Sequence, residues 1–483
     1  LLMKMGKYKI FINNEKVLLR IIIEKDGEIE NLFFYKQDFE PEIGNIYKGK
    51  IEKFLPSLSS AFVNIGEMKS GFLQFDEKDF YFYENFEEEI SYKRSYFPEK
   101  EILIQVCKPG EEEKAPKLSE KIVLPGRYFV LLPNIKIQKI SRKIKDKKEK
   151  RHLMNIFKKA LGKNMGFIIR TAANTKKEIY IYREIKYLLN FWKKIKRDYK
   201  RKSSPSLLWR ELPLYLRVLR DYVNDEYVSV EVDDEYIYKE ILRYTNLFIP
   251  ELKGKIFLYK GNIPMFIKYG FEEKIENFIS DKVFLPSGGY LIIEKGKTLT
   301  AIDVNSSRTE GKNFEETSLI TNLEAAGEIP RQIRCRNISG IIVIDFIKMK
   351  EAKNREIVFK KLFENLKEDK AKIDIWFSKL GLVELCREKN EYSIYNFLFK
   401  KCEKCYGFGF KKDKELIFIE LKKKFFEFFL KKPYNKFEIW LSLPLYEFIF
   451  KNQLFKNFIF FDRIKFKIDN NLKEDEFKII EEV

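Results

Sequence analysis

Two short strings carry the acidic chemistry of this 483-residue chain. Leu299-Thr300-Ala301-Ile302-Asp303-Val304-Asn305 and Ile341-Ile342-Val343-Ile344-Asp345-Phe346 each read as a buried strand whose apolar run ends on an aspartate. If the two strands are neighbours, both carboxylates emerge at one rim, where they repel strongly unless a cation lies between them. Mg²⁺ suits such a pair, because it lowers the pKa of a water and polarises a phosphoryl oxygen without any histidine. Asn305, two residues beyond Asp303 and so on the same face of an extended segment, is placed to orient a phosphate through its amide. The competing reading has each Asp capping a helix or pairing with an arginine such as Arg308.

Three further groupings have chemical potential. In Gly166-Phe167-Ile168-Ile169-Arg170-Thr171-Ala172-Ala173-Asn174 a strand runs into a guanidinium, a hydroxyl and small residues suited to a tight turn. Such a cluster binds a terminal phosphate through the arginine fork and free N–H groups, although arginine at a strand end is commonly an ordinary surface group. Cys402-Glu403-Lys404-Cys405, with Gly407-Phe408-Gly409 behind it, is a knuckle offering half of the four ligands that zinc wants. Two chains sharing one site would complete a four-thiolate zinc and make a dimer, and a redox dithiol is the rival. Cys107, Cys335 and Cys386 stand in apolar surroundings and read as packing residues. Phe62 and Phe72 flank the turn at Gly66; exposed on a small barrel they would stack bases of single-stranded nucleic acid, while core packing is the simpler reading.

Composition narrows the field. One histidine, His152, excludes a nuclease that uses two imidazoles as acid and base, and any zinc site with several His ligands. With 93 Lys+Arg against 73 Asp+Glu the formal charge is +20, which favours a polyanionic partner. An AT-rich genome would produce the same lysine excess, so charge alone decides little. Five scattered cysteines do not make a disulfide scaffold, and no charged-then-apolar leader opens the chain, so a reducing cytosol is expected. The apolar run Ile341 to Ile344 stops at a charge, well short of the ~18 residues a spanning helix needs. With 45% hydrophobic and 16% aromatic residues the chain can bury a large core in several domains.

The elements that must hold these groups are legible in outline. Tyr8 to Ile12 and Val17 to Ile23 form a hairpin pattern around Asn13-Asn14. Ile46 to Phe54, Ser60 to Ile65, Ser70 to Phe75 and Ile102 to Val106 are short strands in the rhythm of a small β-barrel, interrupted by an acidic, aromatic stretch from Phe75 to Phe97. A Lys/Arg-rich helix is expected over Ser141 to Leu161, and a second basic segment, Lys193 to Lys202, ends in Ser203-Ser204-Pro205, an exposed turn near a boundary at 203 to 216. Leu216 to Val223, Tyr227 to Val232 and a helix from Asp234 to Asn246 follow. From Gly288 an α/β pattern is clear: strands Gly289 to Glu294 and Thr298 to Asp303, helix Glu315 to Asn337, strand Ile341 to Phe346, helix Glu351 to Leu366, strand Lys372 to Phe377. The tail from 413 to 483 is rich in Lys and Phe, and no internal repeat occurs.

Taken together these strings resemble the bacterial and plastid ribonuclease E/G family, in the family's order, over about residues 40 to 410. Gly44 to Lys50 with Ala61 to Gly66 resembles its OB-fold RNA-binding domain, and Gly166 to Ala173 its 5′-sensor. Ser287-Gly288-Gly289-Tyr290, Ala301 to Asn305, Thr321-Asn322-Leu323-Glu324-Ala325-Ala326 and Ile344-Asp345-Phe346-Ile347 resemble its catalytic domain. Gly381-Leu382-Val383-Glu384 precedes the CxxC that the family uses as a zinc link.

The resemblance implies an α/β multidomain chain: an RNase H-like domain split between 1–36 and 217–280, an inserted OB-fold β-barrel at 37–126 and a 5′-sensor region at 127–216. A DNase I-like α/β catalytic domain at 281–399, a zinc link at 400–412 and a small dimerisation domain at 413–483 complete it. It further implies Asp303 and Asp345 as Mg²⁺ ligands with Asn305 assisting at the scissile phosphate. Arg170 and Thr171 would hold a 5′-monophosphate, with backbone around Gly126 and Val130. Phe62, Phe72, Lys108 and Lys114 would hold the strand, and Cys402 and Cys405 would give half of an intersubunit zinc site. The activity so implied is endoribonucleolytic cleavage of single-stranded, A/U-rich RNA, such as rRNA precursors and mRNA, with 5′-phosphate and 3′-hydroxyl products. A homodimer or dimer of dimers in the cytoplasm, or in a plastid stroma, would carry it. The chain's length fits the short members of the family, which lack a long disordered tail.

Some positions depart from the pattern. Lys348 stands where a second Asp often follows Ile344-Asp345-Phe346-Ile347, Gly327 and Pro330 are expected to interrupt the helix after Ala326, and the glycine usual near Lys114-Ala115-Pro116-Lys117 is absent. Cys386-Arg387-Glu388-Lys389-Asn390 is less basic than its family counterpart. A non-catalytic single-stranded RNA-binding scaffold and a DNA nuclease are the rival functions.

Overall fold

The computed structural model describes residues 8–36, 43–75, 98–108, 110, 114–224, 226–306, 313–389, 391–400, 402, 405, 409, 412–432, 434–455, 461–473 and 476–482. The acidic stretch 76–97 and the possible Asp partner Arg308 lie outside them. The chain is a mixed α/β protein of two compact units, residues 1–399 and 400–483.

In the first unit the opening hairpin gains a third strand. Tyr8–Asn14, Leu19–Lys25 and Glu28–Tyr35 pair antiparallel, and Tyr8–Asn14 also pairs parallel with the distant Tyr227–Val232, which in turn pairs with Ile256–Leu258. Helices Leu214–Tyr222 and Glu235–Phe248 bury Leu219, Ile237 and Ile241 against Ile10, Ile12, Ile21 and Ile23.

Ile46–Leu55, Ser60–Asn64, Gly71–Gln74, Lys117–Ser119 and Glu101–Lys108 form a closed five-stranded barrel, because the first strand pairs with both the second and the last. Period-two alternation turns Ile51, Ala61, Val63, Leu73, Ile104 and Leu118 into its core. A Cβ on Gly71 would lie 2.4 Å from Leu118 Cδ1, so the Leu118 side chain packs into the space that glycine leaves open. Ser206–Trp209 adds to the outside of Ile46–Leu55.

A four-stranded sheet, in the order Gln138–Ile140, Gly166–Ile169, Phe129–Leu132, Leu124–Pro125, packs on helices Lys147–Leu161 and Glu178–Arg201. The first of these helices begins six residues later than the sequence pattern suggests. Asp146 caps it by accepting from Lys148 N, and Gln138–Ile140, ahead of the expected start, is a strand parallel to Gly166–Ile169. Ser203-Ser204-Pro205 follows the end of the 24-residue second helix.

Six strands in the order Lys282–Phe284, Tyr290–Lys295, Leu299–Asn305, Gly340–Asp345, Val383–Arg387, Ile373–Phe377 form the largest α/β layer, with helices Phe314–Arg336 and Ala352–Leu366 on one face. The expectation that Gly327 and Pro330 break the first of these helices is overturned: it runs unbroken for 23 residues with Pro330 inside. Pro330 cannot donate to the Ala326 carbonyl one turn back, and Asn365 Nδ2 of the neighbouring helix donates to that carbonyl at 3.5 Å instead. Asn337, in the left-handed conformation, ends the helix.

The second unit builds a three-stranded sheet, Ile464–Ile468, Lys436–Leu441, Phe477–Glu482, on helices Lys414–Lys431 and Leu443–Lys451 around Leu421, Phe425, Ile439 and Leu445. Among the described residues no helix is long and apolar enough to cross a membrane.

Candidate active site

Ile302, Val304, Ile342 and Ile344 point into the core beneath the six-stranded sheet. Asp303, between Ile302 and Val304, and Asp345, next after Ile344, must therefore project from the opposite face, and both are exposed. The parallel register puts Asp303 directly against Asp345. Adjacent strands are ~4.8 Å apart, so two carboxylates confront each other across one strand spacing. Asn305 Nδ2 donates to Asp303 Oδ2 at 2.9 Å, fixing that carboxylate. Among the described residues no third acid, His or Cys joins them. Two adjacent, exposed carboxylates fit a hard divalent cation that keeps several waters, as Mg²⁺ does. Lys348 is exposed, three residues along the chain from Asp345.

The strings picked out at 287–290, 321–326 and 345–347 converge on this rim. Asn322, fully buried, donates through Nδ2 to Ile347 O at 2.8 Å and accepts from Ile347 N at 3.0 Å, pinning the segment that leaves Asp345. Ser287 donates from both N and Oγ to Glu324 Oε2, at 3.0 and 2.7 Å. A Cβ on Gly289 would meet Thr321 Cγ2 at 2.7 Å and Asn305 O at 2.8 Å, so glycine is what lets that turn close on the Asp303 strand.

A second cluster forms at one end of the four-stranded sheet. Arg170 N donates to Tyr128 O at 2.8 Å, bringing the Arg170-Thr171 turn beside the turn at Gly126, whose N–H donates to Phe129 O at 2.8 Å. Val130 lies in the same sheet, between Pro125 and Ile168. Thr171 Oγ1 is 2.8 Å from Ser141 Oγ. Arg170 Nη1 donates to Asp221 Oδ1, and Arg220 holds the same carboxylate through Nε and Nη2 at 3.1 and 2.9 Å. Burial pushes the Asp221 carboxyl up, but the Arg220 and Arg170 guanidiniums outweigh it and hold the group well below the ordinary carboxylate range. Glu184, fully buried, accepts from Arg127 N and Tyr128 N. Burial nonetheless pushes its carboxyl up to about 7 against those bonds. A Cβ on Gly126 would lie 2.6 Å from Glu184 Cδ. Lys370 Nζ donates to Asp221 O and sits 3.0 Å from the Tyr222 ring centroid. A cavity of about 450 Å³ opens here, lined in part by Arg170, Asp221, Tyr222, Lys370 and Arg387.

On the barrel, Phe62 and Phe72 are cross-strand partners with ring centroids 5.7 Å apart, half-buried on the outer face. Lys117 pairs with Phe72 and with Lys108, and its Nζ donates to Gln74 Oε1 at 3.3 Å. Lys108 Nζ reaches Glu388 Oε1 at 3.6 Å, and Lys114 is exposed. In the second unit Cys402 is exposed and Cys405 partly buried, with no third Cys, His, Asp or Glu grouped with them among the described residues. Of the three cysteines expected to pack in apolar surroundings only Cys335 is buried. Cys386 lies on the outward row of its strand and is exposed, and Cys107 is exposed with Sγ against Lys117 O at 3.2 Å.

Asp221, Glu184, Ser141 and Lys117 carry no site signal in the sequence. The first two lie 51 and 57 residues from the groups they hold, and a carboxylate within a helical pattern carries no local signal of such a partner. Lys117 is one lysine among many, and only the barrel register places it beside Phe72.

A sequence profile of the Ribonuclease E/G family matches residues 123–390. Ribonuclease G of Haemophilus influenzae is 30% identical over 483 residues, spanning 95% of this chain and 96% of its own length. Ribonuclease G of Escherichia coli strain K12 is 32% identical over 425 residues, 86% of each chain. Ribonuclease E of Buchnera aphidicola is 36% identical over 437 residues, 88% of this chain and 45% of its own. Acidic strand ends, sensor-like turn and barrel therefore occur in a chain that belongs to the Ribonuclease E/G family.

Proposed function

We propose that this chain is a Mg²⁺-dependent endoribonuclease acting on single-stranded, A/U-rich RNA, with a preference for a 5′-monophosphate end and with 5′-phosphate and 3′-hydroxyl products. The observation that carries the proposal is the register of Asp303 against Asp345, with Asn305 bonded to the first. Bound between the carboxylates, Mg²⁺ would supply charge neutralisation at the phosphate and an acidified water. Asp303 and Asp345 hold the cation, and the Asn305 amide orients the scissile phosphate. Asp221 anchors one nitrogen of Arg170, leaving Nε and Nη2, which make no hydrogen bond among the described residues, for the planar fork that a terminal phosphate accepts. Thr171 and the backbone at Gly126 and Val130 close that pocket. Phe62, Phe72, Lys108 and Lys114 grip the strand by stacking and charge.

In this reading the 37–126 barrel is an OB-fold inserted in an RNase H-like domain, 127–216 a 5′-sensor and 281–399 a DNase I-like catalytic domain. Cys402 and Cys405 offer two thiolates of a four-thiolate zinc, so zinc would join two copies of the chain through the 400–412 link, with 413–483 supporting the homodimer or a dimer of dimers. The place of action is the cytoplasm or a plastid stroma, in rRNA processing and mRNA decay.

The test is cleavage of a short 5′-monophosphorylated A/U-rich RNA and of the matching DNA, with and without Mg²⁺, by wild-type protein and by Asp303→Asn plus Asp345→Asn, with product ends mapped. Loss of at least ~100-fold in the double variant, with 5′-phosphate products from RNA only, is the expected result. Tight RNA binding without cleavage by folded wild-type protein would leave a scaffold in place of an enzyme.

A further inference from the structure

The face of the six-stranded sheet that carries Asp303 and Asp345 continues outward to the edge strand Lys282–Phe284. Register fixes which side chains share that face: Phe284 stands against Tyr290 and Tyr290 against Asn305, while Lys282 stands against Ile292 and Ile292 against Asp303. Their sequence neighbours Val283, Leu285 and Leu291 are buried in the core below. Phe284 is 70% exposed, although an apolar ring on an open edge strand is a liability that folded chains usually blunt. Its ring centroid is 6.4 Å from that of Tyr290, and Lys282 Nζ lies 3.9 Å from the Tyr290 centroid and 4.9 Å from the Phe284 centroid. At one strand spacing of ~4.8 Å each, Tyr290 is ~5 Å and Phe284 ~10 Å from Asn305 across the sheet. Two rings with a cation held over them, level with the amide that orients the phosphate, match what unpaired nucleotides need: π-faces for bases and a positive charge for the backbone.

We propose that Phe284 and Tyr290, with Lys282, form a stacking shelf for nucleobases immediately beside the scissile phosphate, so that the RNA runs from the Asp303–Asp345 pair outward over the Lys282–Phe284 edge. The proposal rests on the endoribonuclease reading and adds positioning residues to it. The shelf is tolerant of base identity, because every base presents a π-face, and it grips only unstacked strands. It thereby favours a single strand at the cleavage point, independently of Phe62 and Phe72 on the barrel.

The experiment is a thermodynamic cycle between protein and RNA. A 5′-monophosphorylated A/U-rich oligonucleotide with one mapped cleavage site is prepared intact and with a single abasic residue at each position flanking that site. Wild type, Phe284→Ala, Tyr290→Ala, Phe284→Tyr and Phe284→Leu are compared. Phe284→Ala should lower kcat/KM on intact RNA roughly 5- to 140-fold, the range of a lost base–aromatic stack. At one flanking position the abasic RNA should cost wild type a similar factor and cost Phe284→Ala nothing further, and Phe284→Tyr should restore activity where Phe284→Leu does not. Equal abasic penalties in wild type and Phe284→Ala at every position would overturn the shelf. So would a change of oligomeric mass in Phe284→Ala with unchanged abasic sensitivity, which would assign the ring to a contact between chains. The same cycle read as binding to the Asp303→Asn plus Asp345→Asn protein decides the stacking even if wild type fails to cleave, an outcome that would sink the enzyme reading alone.

Discussion

Asp221 and Glu184 show how much of the cluster around Arg170 depends on carboxylates held away from their ordinary ionisation. Asp221 is held low by Arg220 and Arg170 against its burial. Its ionised form therefore stabilises the fold fully above the unfolded carboxyl value of about 4, and that contribution is lost as pH falls toward the depressed folded value. Asp221→Asn should flatten the acid limb of a plot of melting temperature against pH. It should also lower the preference for 5′-monophosphorylated over 5′-hydroxyl RNA towards that of Arg170→Gln, since Arg170 loses its anchor; paired kcat/KM measurements check this. Glu184 behaves in the opposite sense. Its carboxyl rises from an ordinary 4.5 to about 7 through burial, so between those values the folded state binds more protons than the unfolded and stability declines as pH rises. From pH about 5 to about 8 the wild type should lose up to about 3 kcal/mol that Glu184→Gln retains, readable as the shift in urea midpoint at the two pH values.

At the scale of elements, the site depends on a helix gripping a loop. The Phe314–Arg336 helix buries Asn322, whose amide completes both backbone groups of Ile347 just past Asp345. Asn322→Leu should leave those groups unpaired, cost about 1–3 kcal/mol in denaturant unfolding, and lower kcat more than it raises KM, because the Asp345 carboxylate loses its fixed position. Much of this level is legible in the sequence. Runs such as Ile341 to Ile344 bound by an acid read as buried strands, and Asn337 reads as a helix end. What is not legible is compensation from another element. Pro330 looks like a helix break because nothing local says that Asn365 will donate to the carbonyl it leaves open. Ser141 looks like a helix start because nothing local shows Gln138–Ile140 joining the Gly166–Ile169 strand. The paired carboxylates Asp303 and Asp345 could be named from their strand ends; the Asp221 and Glu184 supports, reached only through tertiary folding, could not.

For the whole molecule, a formal charge of +20 predicts that RNA affinity falls steeply with salt. Each lysine that meets a phosphate contributes about 0.7 to the slope of log K against log salt for a single strand. Replacing Lys108, Lys114 and Lys117 by Gln one at a time should reduce that slope by this amount for those on the strand path and leave it unchanged for any that is not. Filter binding across a salt series distinguishes them.

The match of Asp303 to Asp345 is a property of register as much as of residue type, and it sets what kinds of genetic change the site tolerates. Side chains alternate between faces, so one residue inserted between Leu299 and Ile302 would carry Asp303 into the apolar core and turn Ile302 to the water, unless the strand slides by one on both neighbours. Substitutions along Leu299–Asn305 should therefore give graded losses, whereas single-codon insertions or deletions there should abolish folding and activity together. An equal insertion in the solvent-facing turn Gly296-Lys297-Thr298 should be nearly silent. A scan of single-codon insertions over 296–305, read by soluble yield and cleavage, would show a step where the turn gives way to the strand.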